Sequence, residues 1–215
     1  GSEMCIRDSG DAAMREASRL SQSYIIAAPS VDDCDAQAAR LAARAVCSGA
    51  EPKPCGKCRD CRKAAAGIHP DIINVRRMTD DKGRPKREIM VDQVRDMAAD
   101  ASILPNEAER KVYVIHEAEL MNESAQNALL KILEEPPDYG AFLILSTNAE
   151  RLLPTIRSRC AELQLGPVDE QTALPFLRQQ VPDKPEQLLR AAYLRAGGFL
   201  GQALALLQGE DEFPA

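Results

Sequence analysis

Apolar positions in this chain fall into short runs separated by longer amphipathic stretches. Five runs, Tyr24-Ile25-Ile26, Ile72-Ile73-Asn74-Val75, Val112-Tyr113-Val114-Ile115, Phe142-Leu143-Ile144-Leu145 and Leu163-Gln164-Leu165, are rich in β-branched, aromatic and aliphatic residues. Their length suits strands buried on both faces rather than helices. Between them the pattern turns helical. Asp35–Val46 is rich in Ala, Arg and Leu. In Glu123–Glu134 a single apolar stripe of Ala125, Ala128, Leu129, Ile132 and Leu133 runs from Asn122, a suitable N-cap, to the stop at Pro136-Pro137. Strands alternating with helices predict an α/β fold: a mostly parallel sheet with helices on both faces. Beyond Gly166-Pro167 no strand pattern remains. Gln171–Gln180, Pro185–Arg195 and Leu200–Leu207 are amphipathic, so residues 167–215 are expected to form a small helical domain behind an α/β domain of residues 1–166.

Composition narrows the classes of function. Of 215 residues, 45% are apolar and 28% charged, ordinary values for a globular chain. No run approaches the ~20 apolar residues that cross a bilayer. Lys and Arg number 27 against 33 Asp and Glu, a net charge of −6, which argues against a domain that binds nucleic acid alone through a positive surface. Gly1–Ser9 has no basic stretch followed by an apolar one, so no secretory leader is expected and the compartment is read as cytoplasmic. Arg76 to Arg87 is strongly polar and reads as an exposed, hairpin-like excursion with Gly83 at its bend, a solvated loop before it is a DNA-contact loop.

In a reducing compartment, clustered thiols are more often metal ligands than disulfides. Four of the seven cysteines, Cys47, Cys55, Cys58 and Cys61, lie within fifteen residues at the spacing C-x7-C-x2-C-x2-C. Two overlapping Cys-x2-Cys steps, with Cys47 at the end of the preceding helix, can place four thiolates tetrahedrally at ~2.3 Å from a Zn²⁺ ion. Gly56 allows the tight turn between them. A closed shell of four thiolates leaves no place for water, so the expected zinc is structural. The alternative is a set of buried free cysteines or labile disulfides.

The second constellation starts at Lys111-Val112-Tyr113-Val114-Ile115-His116-Glu117-Ala118-Glu119-Leu120-Met121 and continues through the string NALLKILEEPP of Asn127–Pro137. It ends with Ser146-Thr147-Asn148 and the string LPTIRSRC of Leu153–Cys160. With the cysteine spacing, these strings resemble the bacterial clamp-loader subunits of the AAA+ class, over about Leu20 to Leu207. That resemblance implies a RecA-like α/β domain followed by a helical lid.

What it implies about nucleotide is carried over position by position. In ATP-binding members the turn after the first strand is glycine-rich and closes with a lysine and a hydroxyl residue, which hold the phosphates and Mg²⁺. Here the stretch is Ala28-Pro29-Ser30-Val31-Asp32-Asp33-Cys34-Asp35. Cys34 stands at the lysine position, Asp35 at the hydroxyl position, and Val31 and Asp33 at two glycine positions. Asp32, Asp33 and Asp35 put negative charge where the phosphate charges would sit. His116 replaces the magnesium-binding aspartate at the third strand's end, although Glu117 remains; by itself His116 reads as a hydrogen-bonded structural residue. Gly201 occupies the place of a phosphate-sensing arginine. The resemblance therefore implies no ATP and no intrinsic hydrolysis. One element survives: Ser158-Arg159-Cys160 matches the motif whose arginine enters the neighbouring subunit's ATP site, so Arg159 is expected to act in trans. The bland alternative makes it a surface ion-pair residue.

The function so implied is that of a catalytically silent subunit of the DNA polymerase III clamp loader. Such a subunit helps place a sliding clamp on primed DNA beside gamma/tau and delta subunits. Two rivals are an active, divergent gamma/tau-like ATPase and a zinc-knuckle nucleic-acid module. The second is poorly supplied, with 4% aromatic residues and no Trp. Met4–Ser9 does not match the family's adenine-enclosing stretch, and the chain is expected to stop before the collar domain and to be monomeric by itself.

Overall fold

The computed structural model describes residues 22–209. Cys5 and the Met4–Ser9 stretch lie outside the described residues. Five strands, β1 (Ser23–Ala27), β2 (Ile72–Val75), β3 (Lys111–Ile115), β4 (Gly140–Ser146) and β5 (Ala161–Gln164), form one sheet in the order β2-β3-β4-β1-β5. Every pairing is parallel, with Ile25 opposite Ile144 and Glu162, and Tyr113 opposite Phe142. Parallel strands need crossover connections, and the helices between them cover both faces. All residues of β3 and β4 are buried. This double burial is why those strands read as continuous apolar runs. Tyr113 and Phe142 stack on neighbouring strands with ring centroids 5.1 Å apart.

On one face α1 (Val31–Val46) packs Cys34, Ala38, Leu41 and Ala42 against Ile26, Val112, Val114, Leu143 and Leu145. On the other, α3 (Val91–Asp100) and α4 (Glu123–Glu134) bury Val94, Met97, Leu129 and Leu133 over Ile25, Tyr113, Phe142 and Ile144. Asn122 caps α4 as its sequence suggests, its side chain accepting from the Ala125 amide. The short α2 (Arg59–Ala65) carries the last cysteine of the cluster. Another short helix, α5 (Pro154–Arg157), leads into β5. After β5 come α6 (Glu170–Gln180), α7 (Glu186–Arg195) and α8 (Leu200–Gln208). They share a separate apolar cluster centred on Leu177, Leu189, Ala192, Ala203 and Leu207. Among the described residues, no helix is long and apolar enough to cross a membrane.

The structure differs from the sequence pattern in three places. Helix α1 starts at Val31 and not near Asp35, because Ser30 caps it and Asp32 and Asp33 occupy its first turn, where acids favour the helix dipole. Helices α2 and α3 were not expected from the pattern. α2 has only seven residues and hides among the cysteines. α3 buries only Val94 and Met97, and Gln93 rather than a Ser or Asp side chain closes its capping box.

Residues 76–87 leave the end of β2 as an exposed excursion, bridged between Thr79 and Pro85, with Gly83 at φ 75° in the bend. Asp80 shapes that bend by accepting from the Lys82 and Arg84 amides. At the opposite end of β2, the buried carboxylate of Asp71 accepts the backbone N–H groups of Asn106, Glu107 and Ala108 at 2.5, 2.7 and 2.8 Å. Burial opposes its ionisation, but these three donors hold its carboxyl below the ordinary 3.8. A carboxyl depressed on folding stabilises the protein fully above its unfolded value, and the contribution is lost as pH falls through the folded one. Wild-type stability is therefore expected to fall as pH drops below 3.8. Asp71→Asn should show a shallower fall in urea titrations at successive pH values, from a lower starting stability.

Candidate functional site

Two groups of residues carry chemistry: the four cysteines, and the turn from β1 into α1 with the groups that surround it. The cysteine sulfurs all lie within 4.8 Å of one another, Cys47 to Cys58 at 3.9 Å and Cys55 to Cys61 at 4.0 Å. No disulfide links them. Four sulfurs held tetrahedrally at ~2.3 Å from a metal stand ~3.8 Å apart, so this spacing fits a metal with little adjustment.

The backbone of the module is turned toward its sulfurs. The Cys55 amide donates to Cys47 Sγ at 3.4 Å, Cys58 to Cys55 Sγ at 3.3 Å, and Cys61 to Cys58 Sγ at 3.3 Å. Such donors favour thiolates. The Cys61 amide holds the Cys58 thiol down to about 5, and the Lys57 and Cys58 amides lower that of Cys55. Burial pushes Cys61 up to about 12. A divalent cation at the centre would supply the charge that lets all four ionise together. Gly56 sits at φ 69°, the left-handed turn expected of it. Sequence reasoning missed Gly49, where a Cβ would come within 2.5 Å of Cys55 Sγ. The pattern of close approach that demands this glycine is visible only in three dimensions.

The turn after β1 is closed by its own side chains. Asp33 is 5% exposed. Its Oδ2 accepts the Ser30 hydroxyl at 2.6 Å, while its Oδ1 accepts the backbone N–H groups of Gly201 at 2.7 Å and Gln202 at 3.4 Å. A carboxylate from α1 thus caps the N-terminus of α8. Gly201 is what allows the approach, because a Cβ there would stand 2.5 Å from both Asp32 O and Asp33 Cα. Cys34 points inward, its Sγ donating to the carbonyls of Ile26 at 3.5 Å and Ser146 at 3.6 Å. Burial pushes this thiol up to about 11. Val31 opens α1 with 38% exposure, and Ala28 is buried beneath the turn.

The acidic positions are likewise occupied. Asp35 Oδ1 meets His116 Nδ1 at 2.7 Å, and His116 Nε2 meets Asn74 Oδ1 at 2.8 Å. Arg76 approaches Asp35 Oδ2 at 3.4 Å. Burial works against the Asp35 charge, but His116 and Arg76 hold its carboxyl below the ordinary range. Glu117, at φ 47°, is gripped by Arg77 through Nε at 3.1 Å and Nη2 at 3.0 Å. Both arginines come from the start of the polar excursion. Sequence reasoning missed this pairing, since acid and base lie 40 residues apart.

Arg159 stands on the rim, its side chain 35% exposed. Its Nη1 donates to Thr155 O at 2.9 Å and its Nη2 to Glu134 Oε1 at 2.8 Å. The Ser158 hydroxyl donates to the same Thr155 carbonyl at 3.0 Å. Cys160, beside them, is packed against the core, and burial pushes its thiol up to about 12.

The five-stranded parallel sheet with helices on both faces and a helical segment behind it is an α/β fold of the AAA+ type. The family model described as "DNA polymerase III, delta subunit" matches residues 12–169, and the chain belongs to that family, on its delta-prime branch. DNA polymerase III subunit delta' of Escherichia coli K12 is 40% identical over 159 residues, 74% of this chain and 46% of that protein. A subunit gamma of Buchnera aphidicola (subspecies Schizaphis graminum) is 32% identical over 176 residues, 79% of this chain and 46% of that protein. The chain spans about half the length of these curated relatives. Among solved structures, a gamma subunit-related protein of Thermotoga maritima superposes with a TM-score of 0.52 at 17% identity, covering 91% of this chain and 69% of that one, which shows the fold.

The contact between α8 and α1 yields a direct test. Gly201→Ala must push the two helices apart or distort Asp33, and a lost cap costs ~1 kcal/mol before any steric cost. The thermal midpoint is expected to fall by at least about 2–4 °C by circular dichroism. An unchanged midpoint would show that the contact carries no stability.

Proposed function

We propose that this chain is a catalytically silent clamp-loader subunit of the delta-prime type, which binds no ATP and serves the hydrolysis of its neighbours while a sliding clamp is placed on primed DNA. The observation that carries the reading is the closed turn after β1. A phosphate loop needs backbone N–H groups and a lysine free to meet phosphate. Here the Gly201 amide and the Ser30 hydroxyl already bind the Asp33 carboxylate, and the lysine position holds an inward-facing thiol. Glu117 survives as a residue type, yet Arg77 holds both of its oxygens, so it is not free to polarise a water.

The gamma-named relative keeps the active-ATPase reading in view. Against it stand Cys34, Asp35, His116 and Gly201, replaced together and each satisfied inside the fold.

In this reading Arg159 is the part that acts on chemistry. Its guanidinium is always protonated and offers a planar fork of donors. It spends two N–H groups on Thr155 and Glu134 and keeps others for an anion presented by the next subunit. Such an arginine stabilises charge developing on a γ-phosphate during hydrolysis. The direct partners would be a gamma/tau subunit at the Arg159 face and a delta subunit, in the bacterial cytoplasm. From residue 167 onward the helices would act as the lid domain, held down on the silent turn.

Cys47, Cys55, Cys58 and Cys61 would hold zinc. When bound, it supplies a cross-link and no open coordination position, so it is structural.

The test is ATP hydrolysis by the assembled loader with gamma, delta, clamp and primed DNA. Arg159→Ala is expected to lower the DNA-stimulated rate, by up to ~10³-fold at the one site it serves. The loader should still assemble at the same stoichiometry. Unchanged turnover in an intact assembly would reject the role.

A further inference from the structure

Behind the cysteine cluster lies a second polar cluster that the clamp-loader reading does not use. Asp60, in the first turn of α2, and His69, just before β2, are each 4% exposed. Asp60 Oδ2 accepts the hydroxyl of Ser48, the residue that follows Cys47. Asp60 Oδ1 faces His69 Nε2 at 3.7 Å. Neither of these two atoms has a hydrogen-bond partner among the described residues. Glu107 completes a trio whose ligand atoms lie within 4.8 Å of one another.

A carboxylate, an imidazole and a second carboxylate at that spacing raise the question of another metal site. The proton on His69 answers it. Nδ1 accepts the Asp71 backbone N–H at 3.1 Å, so the ring carries its proton on Nε2, the nitrogen that faces Asp60. A protonated nitrogen offers no lone pair to a metal. Glu107 is taken as well, by Lys63 at 2.6 Å and Arg59 at 3.1 Å, two cations that would repel a third. The trio is a set of struts.

What the struts join is informative. Ser48 follows Cys47 directly, Asp60 lies between Cys58 and Cys61, and His69 leads into β2. Beyond His69, Asp71 is anchored by the amides of Asn106, Glu107 and Ala108 ahead of β3. Side-chain contacts thus tie the residue after Cys47 to the first turn of α2, and bring that turn within 3.7 Å of the approach to β2. We propose that Asp60 and His69 are positioning residues for the cysteine metal centre: one buried carboxylate, bonded to Ser48 and faced by the imidazole N–H at 3.7 Å, holds the Cys47 and Cys58–Cys61 segments at ligating distance. The inference rests on the reading of the four cysteines as a zinc site. Groups behind metal ligands commonly set affinity by 10–100-fold, because they fix where each ligand points.

The experiment follows transfer of zinc from the loaded protein to a chromogenic chelator, with thermal midpoints measured beside it. His69→Leu, which keeps bulk and removes the N–H, is expected to release zinc about tenfold faster or more. His69→Gln, whose amide can still donate toward Asp60, should stay within about twofold of wild type, and Asp60→Asn should fall between the two. A purely structural residue would act alike with and without the metal site, so His69→Leu is also placed on a Cys58→Ser background. Its loss of thermal midpoint should largely vanish there. If zinc-loaded wild type and His69→Leu release zinc at the same rate, or if the midpoint falls equally on both backgrounds, the inference is overturned while the zinc reading stands. Should His69→Leu not fold, the rates of His69→Gln and Asp60→Asn decide alone, equal rates counting against it. Wild type that takes up no zinc would overturn the zinc reading and this inference with it.

Discussion

One buried carboxylate ties the first helix of the sheet domain to the helices that follow the sheet. Asp33 reaches across from the first turn of α1 to the first amides of α8, and its other oxygen takes the hydroxyl that caps α1 itself. An isolated buried carboxylate would be very costly, so its ionised form requires these donors, and the donors sit on two different parts of the fold. The α/β domain and the helices behind it are thereby joined at the turn where related ATPases leave space. Gly201 makes the joint possible by removing the one side-chain atom that would keep the helices apart.

The same principle governs the other residues around the turn after β1. Three polar residues that depart from the ATPase pattern have partners within the chain: Cys34 on two carbonyls, Asp35 on His116 and Arg76, His116 on Asn74 as well. The retained Glu117 has been paired with Arg77. Polar groups at a nucleotide site are normally left with unfilled hydrogen-bonding capacity for the ligand. Here that capacity is used internally, and the polar excursion after β2 gains a purpose as the source of Arg76 and Arg77. Its free tip, from Asp80 to Arg84, is shaped by local hydrogen bonds alone.

Local signals in the sequence made the sheet readable. Each of the five strands overlaps an expected run, most fully in β3 and β4, which are covered on both faces and so are apolar at nearly every position; the edge strand β5, largely exposed, starts at Ala161, two residues before its expected run. The cysteine cluster was readable for a similar reason: its ligand spacing is set by neighbours in the chain, and the four sulfurs do converge. The start of α1 was misplaced because Asp32 and Asp33 look like loop residues, although the first turn of a helix favours acids. The pairs that close the site were not readable at all. Asp33 and Gly201 are 168 residues apart, Arg77 and Glu117 are 40 apart, and no spacing rule connects them. His69 was likewise one unremarked histidine until β2 and α2 brought it to Asp60.

The claim at the centre of this account is that the turn after β1 does not take nucleotide. Isothermal calorimetry of the purified chain with Mg-ATP addresses it without any partner subunit. No saturable heat is expected up to millimolar nucleotide; a one-to-one isotherm with micromolar affinity, weakened by a substitution at Asp33 or Cys34, would contradict that claim.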